Sequence, residues 1–290
     1  MYKLLAIDLD GTLLNSYGTI SNKNKQAIKK AKEKGIEVVI ASGRHITSVK
    51  SFAKEINAED YSICGNGAIL YDMKNDKILY NKFIEKDKIL EIIQMCEQNS
   101  IYYNVYTETE ILTRKIAYSA LFYKMENEKK DSKYQTNIRV VADLYNYVKE
   151  DNKNKYIKVT IYDDNLSIFK HIIQKLREIK DIDVLDVGHM SRKIIKINNE
   201  DVEIKYYYTE ITKLDVNKWN AIKELIKILN IDSNQVATIG DNVNDKEMLE
   251  NAGMGIVMEN SADYVKKYGK NVCRDNNSDG VSDAIEKYVL

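Results

Sequence analysis

Two apolar runs near opposite ends of this 290-residue chain both end in carboxylates, and this limits the folds open to it. Residues 3–9 run into Asp8-Leu9-Asp10-Gly11-Thr12, and residues 235–239 run into Gly240-Asp241-Asn242-Val243-Asn244-Asp245. A third run, 36–41, ends in Ser42-Gly43-Arg44. Short apolar runs bounded by turn residues read as strands buried on both faces, the strands of a parallel sheet. Charged residues at the end of such a strand are costly unless paired or metal-bound. In open α/β sheets the carboxyl ends of the strands are where ligands bind.

The spacing between these runs supplies helices. Ser21-Asn22-Lys23-Asn24 opens one with Ala27, Ile28 and Ala31 on one face and Gly35 as its stop. Residues 47–56 form a second helix, and strand 61–64 leads into Gly65-Asn66-Gly67. This β-α-β alternation predicts an α/β fold with a parallel sheet. The middle of the chain differs: helix 87–98, Tyr- and Thr-rich strands, a charged stretch at 126–133 that reads as solvated, strand 156–162, helix 167–179, and strands 194–197 and 203–211. The α/β pattern then resumes with helix 218–229, carrying Ala221, Ile222, Leu225, Ile226 and Leu229, strand 235–239, and helix 246–251 closed by Gly253. The expected architecture is a Rossmann-like parallel-sheet core, 1–84 and 206–290, with an inserted α+β domain at 85–205.

Composition removes several classes. With 44 basic and 44 acidic residues the chain has no net charge to draw it to nucleic acid or an anionic membrane. No apolar run approaches the ~20 residues of a membrane helix. The first residues meet Asp8 too soon to hold a signal-peptide core. The three cysteines, Cys64, Cys96 and Cys273, lie far apart with no C-x-x-C pair, which fits free thiols in a reducing cytoplasm and disfavours zinc. There is no proline, so Gly, Asn, Asp and Ser must make every turn. The 21 tyrosines read as packing.

The candidate chemistry lies at the strand ends. Alternation should make Asp8 and Asp10 diverge, but Gly11 permits a turn that brings both towards one pocket; the same residues suit a solvated turn with Thr12 as a helix cap. Asp8 and Asp241 are suitable oxygen ligands for Mg²⁺, while Asp241–Asp245 also suits a loop capping the next helix. Ser42 and the Gly43 N–H suit an anion site at a helix start, or Ser42 is simply that helix's cap. Lys218 at a helix start reads as solvated, and a bound anion would offset its poor fit to the helix dipole. Arg44 reads as structural; His45, His171 and His189 share no spacing and read as surface or capping groups, with 189–192 a weak candidate for lining a cleft.

Taken in order, Asp-x-Asp-Gly-Thr, Ser-Gly-Arg, Lys218 and Gly-Asp-x-x-Asn-Asp resemble the four motifs of the haloacid dehalogenase superfamily of aspartate-nucleophile phosphatases. The large insert resembles the cap of its Cof-type, class IIB branch. Asn66-Gly67-Ala68, Met248-Leu249-x-x-Ala252-Gly253 and Asn276-x-x-Asp279-Gly280-Val281 resemble further segments of that branch. Two departures are Trp219, where the family often has Gly, and Ile211-Thr212-Lys213, where prolines are common. The resemblance implies Asp8 as nucleophile and Asp10 as general acid and base. It implies Mg²⁺ held by Asp8, Asp241 and the backbone carbonyl of Asp10, and a phosphoryl group positioned by Ser42, Gly43, Lys218 and Asn244. Thr12 would fix the turn, and Asp245 would orient Lys218 or a metal-bound water. The implied activity is Mg²⁺-dependent hydrolysis of small phosphate esters in the cytoplasm. Transfer to a second acceptor, as in mutases, or a catalytically silent metabolite-binding regulator are the other readings. Oligomeric state is not constrained.

Overall fold

The computed structural model describes residues 1–185, 191–197 and 200–290, with side chains described outside 186–204. His189 lies outside the described residues, and only the backbone of Arg192 is described. In chain order the strands are β1 (Leu4–Ile7), β2 (Glu37–Ala41), β3 (Tyr61–Cys64), β4 (Ile69–Asp72), β5 (Lys77–Asn81), β6 (Tyr102–Thr107), β7 (Glu110–Thr113), β8 (Asn137–Val140), β9 (Tyr156–Asp163), β10 (Ile182–Val184), β11 (Ser191–Ile197), β12 (Glu200–Lys213), β13 (Val236–Gly240), β14 (Met254–Met258) and β15 (Asn271–Cys273). The helices are α1 (Asn22–Glu33), α2 (Ile46–Glu55), α3 (Lys86–Gln98), α4 (Tyr118–Asn127), α5 (Leu144–Glu150), α6 (Leu166–Leu176), α7 (Lys218–Leu229), α8 (Lys246–Asn251), α9 (Asp263–Lys266) and α10 (Gly280–Ala284).

The chain divides into two units, Met1–Lys82 with Val216–Leu290, and Phe83–Asp215. The first is built on an eight-stranded sheet of order β15-β14-β13-β1-β2-β3-β4-β5. Strands β15 to β3 are parallel, and β4 and β5 add an antiparallel edge. All of β1 and β13 is buried, as a strand covered on both faces must be. Leu4–Ile7 lie opposite Val236–Ile239 on one side and Glu37–Ile40 on the other. That register brings the residues following all three strands to one edge, where the strand order turns back. One face of the sheet packs Leu4, Ala6 and Val39 against Ala221, Ile222 and Leu225 of α7.

The second unit holds a seven-stranded sheet of order β10-β12-β9-β6-β7-β8, with β11 paired to β12. It is antiparallel except for β7 against β8. Its core sets Ile89, Ile92 and Ile93 of α3 and Phe169, Ile172 and Leu176 of α6 against Val105, Val159 and Ile161. The chain leaves this unit at 215/216, later than the 205/206 expected from the sequence. The reason is β12, one unbroken strand to Lys213 that pairs with both β9 and β10. No helix of the described residues is long and apolar enough to cross a membrane.

Candidate active site

After β1 the chain turns at Gly11, which has φ of +85°. A Cβ there would sit 2.4 Å from Asp241 Oδ2, so glycine serves both the conformation and the close approach. Thr12 is not a helix cap: its Oγ1 donates to Asp241 Oδ1 at 2.7 Å. Two asparagines from the far end of the chain fix this loop. Asn260 Nδ2 donates to the Gly11 carbonyl and Asn276 Nδ2 to the Leu14 carbonyl, both at 2.9 Å. Asn276 belongs to a segment that the sequence singled out; Asn260 carried no sequence signal.

Lys218 is fully buried, contrary to the solvated reading. Its Nζ donates to Asp8 Oδ1 at 2.5 Å and Asp245 Oδ1 at 2.6 Å. Asn217 caps α7 by accepting from the Asn220 N–H at 2.8 Å, which sets Lys218 at the helix start. Asp245 Oδ2 accepts from the backbone N–H groups of Asp241 at 2.9 Å and Asn242 at 3.0 Å. Asp245 thus ties Lys218 to the loop that carries Asp241. Gly240 makes room, since a Cβ there would lie 2.6 Å from the Asp245 carboxyl carbon.

Burial pushes the Asp8 carboxyl up to about 7, against the pull of the Lys218 ammonium. Burial, then the neighbouring Asp8 and Asp245 charges, raises Asp241 well above the usual carboxylate range. Burial also works against the Lys218 charge, but the two carboxylates outweigh it and raise its pKa. Asp8, Asp241 and Asp245 bring carboxylate oxygens within 4.8 Å of one another. Among the described residues Asp8 Oδ2 and Asp241 Oδ2 carry no hydrogen bond. Two open carboxylate oxygens beside buried, incompletely neutralised charge fit a small hard dication.

The second motif forms a loop rather than a helix start. Helix α2 begins only at Ile46, and its cap is the buried His45, whose Nδ1 accepts from the Thr47 N–H at 3.3 Å. Ser42 is buried and its Oγ accepts from the Arg44 N–H at 3.2 Å. Asn66, in the left-handed region with φ of 60°, joins this loop to the fourth motif. Its N–H donates to the Ser42 carbonyl at 3.0 Å, and its Oδ1 accepts from Asn244 Nδ2 at 3.1 Å. A Cβ on Gly43 would lie 2.7 Å from that same Oδ1. His171 is exposed on α6 in the inserted unit.

The structure thus brings Asp8, Thr12, Lys218, Asp241 and Asp245 into one hydrogen-bonded cluster, and Ser42, Gly43, Asn66 and Asn244 into a second group. The Asp10 carboxylate pairs with Arg44. Both its oxygens are held by Arg44, from Nε to Oδ2 and Nη2 to Oδ1, each at 2.7 Å. Trp219, a departure from the family pattern, is buried against the sheet beside Leu225 and Met248.

Comparison with known proteins finds relatives over almost the whole chain. Phosphatase YwpJ of Bacillus subtilis is 27% identical over 296 residues, spanning 99% of this chain and 100% of that protein. The 5-amino-6-(5-phospho-D-ribitylamino)uracil phosphatase YcsE of the same organism is 26% identical over 288 residues, spanning 99% and 96%. A solved structure of a haloacid dehalogenase-like hydrolase from B. subtilis superposes with a TM-score of 0.81 at 25% identity, covering 99% of this chain and 100% of that one. Residues 5–285 match the sequence model of that family, and the chain belongs to the haloacid dehalogenase-like hydrolases.

Proposed function

We propose that this hydrolase is a Mg²⁺-dependent phosphatase of small phosphorylated metabolites, working through an aspartyl-phosphate on Asp8. The observation that carries the reading is Lys218, fully buried between Asp8 and Asp245 and next to Asp241, at the edge where the sheet order turns back. Similarity to curated phosphatases, one named for a phosphorylated pyrimidine, supports a small phosphate ester as substrate.

An Asp8 oxygen attacks phosphorus in line, and the bond to the leaving oxygen breaks as Asp10 gives that oxygen a proton. Asp10 then takes a proton from water as the water oxygen attacks phosphorus and frees Asp8. Lys218 offsets the repulsion between the Asp8 carboxylate and the incoming phosphate dianion. Ser42, the Gly43 N–H and Asn244 hold the phosphoryl oxygens. Asp8, Asp241 and the Asp10 carbonyl would hold the cation, with Asp245 fixing Lys218 and the Asp241 loop. When bound, the cation supplies positive charge against the phosphoryl oxygens. Three buried free thiols fit a reducing cytoplasm.

Phosphate release from an aryl phosphate, with Mg²⁺ and with chelator, tests the reading. Wild type should release phosphate only with Mg²⁺. Asp8→Asn should lose at least about a thousandfold while keeping the wild-type circular dichroism spectrum. Normal turnover by Asp8→Asn would refute the nucleophile. Tight binding of a metabolite without turnover by wild type would point to a regulator.

A further inference from the structure

We propose that Asn66 is a positioning residue for the phosphoryl group: its carboxamide fixes the Asn244 side chain so that Asn244 presents an N–H to a phosphoryl oxygen. This rests on the reading of Ser42, Gly43 and Asn244 as the groups that hold that phosphoryl group. Asn66 stands in the middle of a turn whose three residues all have positive φ, 59° at Gly65, 60° at Asn66 and 99° at Gly67. Among side chains other than glycine, asparagine is one of the few that accept this region. The turn touches three of the motifs that the sequence singled out. The Gly65 N–H donates to the Arg44 carbonyl at 3.1 Å and the Asn66 N–H to the Ser42 carbonyl at 3.0 Å, so the second motif is tied at both ends. Gly67 lies so close to the Asn217 carbonyl that no Cβ fits, which sets the turn against the residue before Lys218. Asn66 Oδ1 accepts from Asn244 Nδ2 at 3.1 Å, which reaches the fourth motif.

The backbone of this turn does not require the Asn66 side chain, since glycine would hold the same φ with less strain. What asparagine adds is a carboxamide on a residue that is only 6% exposed. Its Oδ1 occupies the space beside Gly43, where a Cβ would lie 2.7 Å away. The same oxygen takes one N–H of Asn244. An amide nitrogen carries two N–H groups in one plane. With one of them committed to Asn66, the plane of the Asn244 amide and the direction of its second N–H are set. Asn244 is itself half-buried, and the last torsion of a free asparagine is broad. A donor aimed in advance needs no reorganisation when the phosphoryl group arrives. Asn66 thus acts through Asn244, and its backbone N–H holds the Ser42 loop at the matching distance.

The test is a double-mutant cycle on the full-length, Mg²⁺-loaded protein, comparing wild type, Asn66→Gly, Asn244→Ala and the double variant. Asn66→Gly keeps the positive φ and removes the carboxamide. Binding of inorganic phosphate is measured by titration calorimetry, and kcat/KM is measured on p-nitrophenyl phosphate and on an alkyl phosphate. The melting temperature of each protein is recorded. Asn66→Gly should weaken phosphate binding by about tenfold and lower kcat/KM by a similar factor. The two esters should suffer equally, because the phosphoryl group is common to both. Asn244→Ala should lose at least as much, and the double variant should lose no more than Asn244→Ala alone. Additive losses would show Asn66 acting independently of Asn244 and overturn the proposal. A loss confined to one ester would make Asn66 a contact of the leaving group and overturn it as well. A lowered melting temperature with phosphate affinity unchanged would reduce Asn66 to a structural residue. If wild type neither binds phosphate nor turns over either ester, the functional reading falls and the proposal with it; binding and turnover by wild type with additive losses would sink the proposal alone.

Discussion

Asp8 and Asp241 are buried carboxylates with less positive charge nearby than their number requires. Three acidic groups share one ammonium, and burial raises both Asp8 and Asp241 above the ordinary carboxylate range. The folded protein without a cation therefore holds protons that the unfolded chain releases. Asp8 moves from 3.8 to about 7, so its contribution to stability is present below pH 4 and is lost as pH rises towards 7. At about 1.4 kcal/mol per unit this loss is of the order of a few kcal/mol. Melting of chelated protein should show a falling midpoint between pH 4 and 7, and Mg²⁺ should remove most of the fall. Asp241→Asn should flatten the slope and abolish the Mg²⁺ gain. A chelated midpoint that rises over this range would contradict the assigned burial of these charges. Each of these residues was legible in the sequence as an acidic group at a strand end. Their pairing was not, because hydrogen bonds between residues 8, 218 and 245 depend on where three distant backbones come together.

Among the elements, the strands and helices beside the site were the most readable. Helices α7 and α8 have the bounds that their apolar spacing and closing residues predicted. The β4–β5 edge hairpin was not read, since β5 is short and half-exposed and its pattern is weak. The Ser42–Arg44 segment was read as a helix start because serine is a good cap; here Ser42 is drawn into the sheet edge by Asn66, and His45 caps instead. One close approach holds these elements in place. Gly67, with φ of +99°, would bring a Cβ within 2.1 Å of the Asn217 carbonyl at the start of α7. Gly67→Ala should cost roughly 3 kcal/mol or more and misplace Lys218. Gly35→Ala, also at positive φ but with open space around it, should cost about 1 kcal/mol. Comparable chemical-denaturation midpoints for the two variants would show that the turn yields and that the approach does not constrain Lys218.

At the scale of the whole molecule, each of the two units has a hydrophobic core of its own among the described residues. One lies on the parallel sheet under α7, and the other lies between the antiparallel sheet and α3 and α6. All three members of the acidic cluster belong to the first unit. A ligand that binds the folded form raises only the transition of the unit that binds it. Calorimetry should resolve two unfolding events, with Mg²⁺ raising one by several degrees and leaving the other in place. A single transition that moves as a whole with Mg²⁺ would show that the two units unfold together.

The sequence alone determined the local chemistry of this protein: which runs are buried strands, which residues end them, and that four motifs stand in the order of a known family. Those properties are written in short-range patterns of apolar, acidic and glycine residues, which constrain the backbone within a few positions. Only the tertiary structure decided which of these side chains meet. Parallel register across β2, β1 and β13 sets the edge, so Lys218 becomes a buried bridge instead of a solvated cation. It also separates the two carboxylates of one motif, giving Asp8 to Lys218 and Asp10 to Arg44. Spacing within a chain cannot specify such partners, because they are fixed by the packing of elements that are distant in sequence.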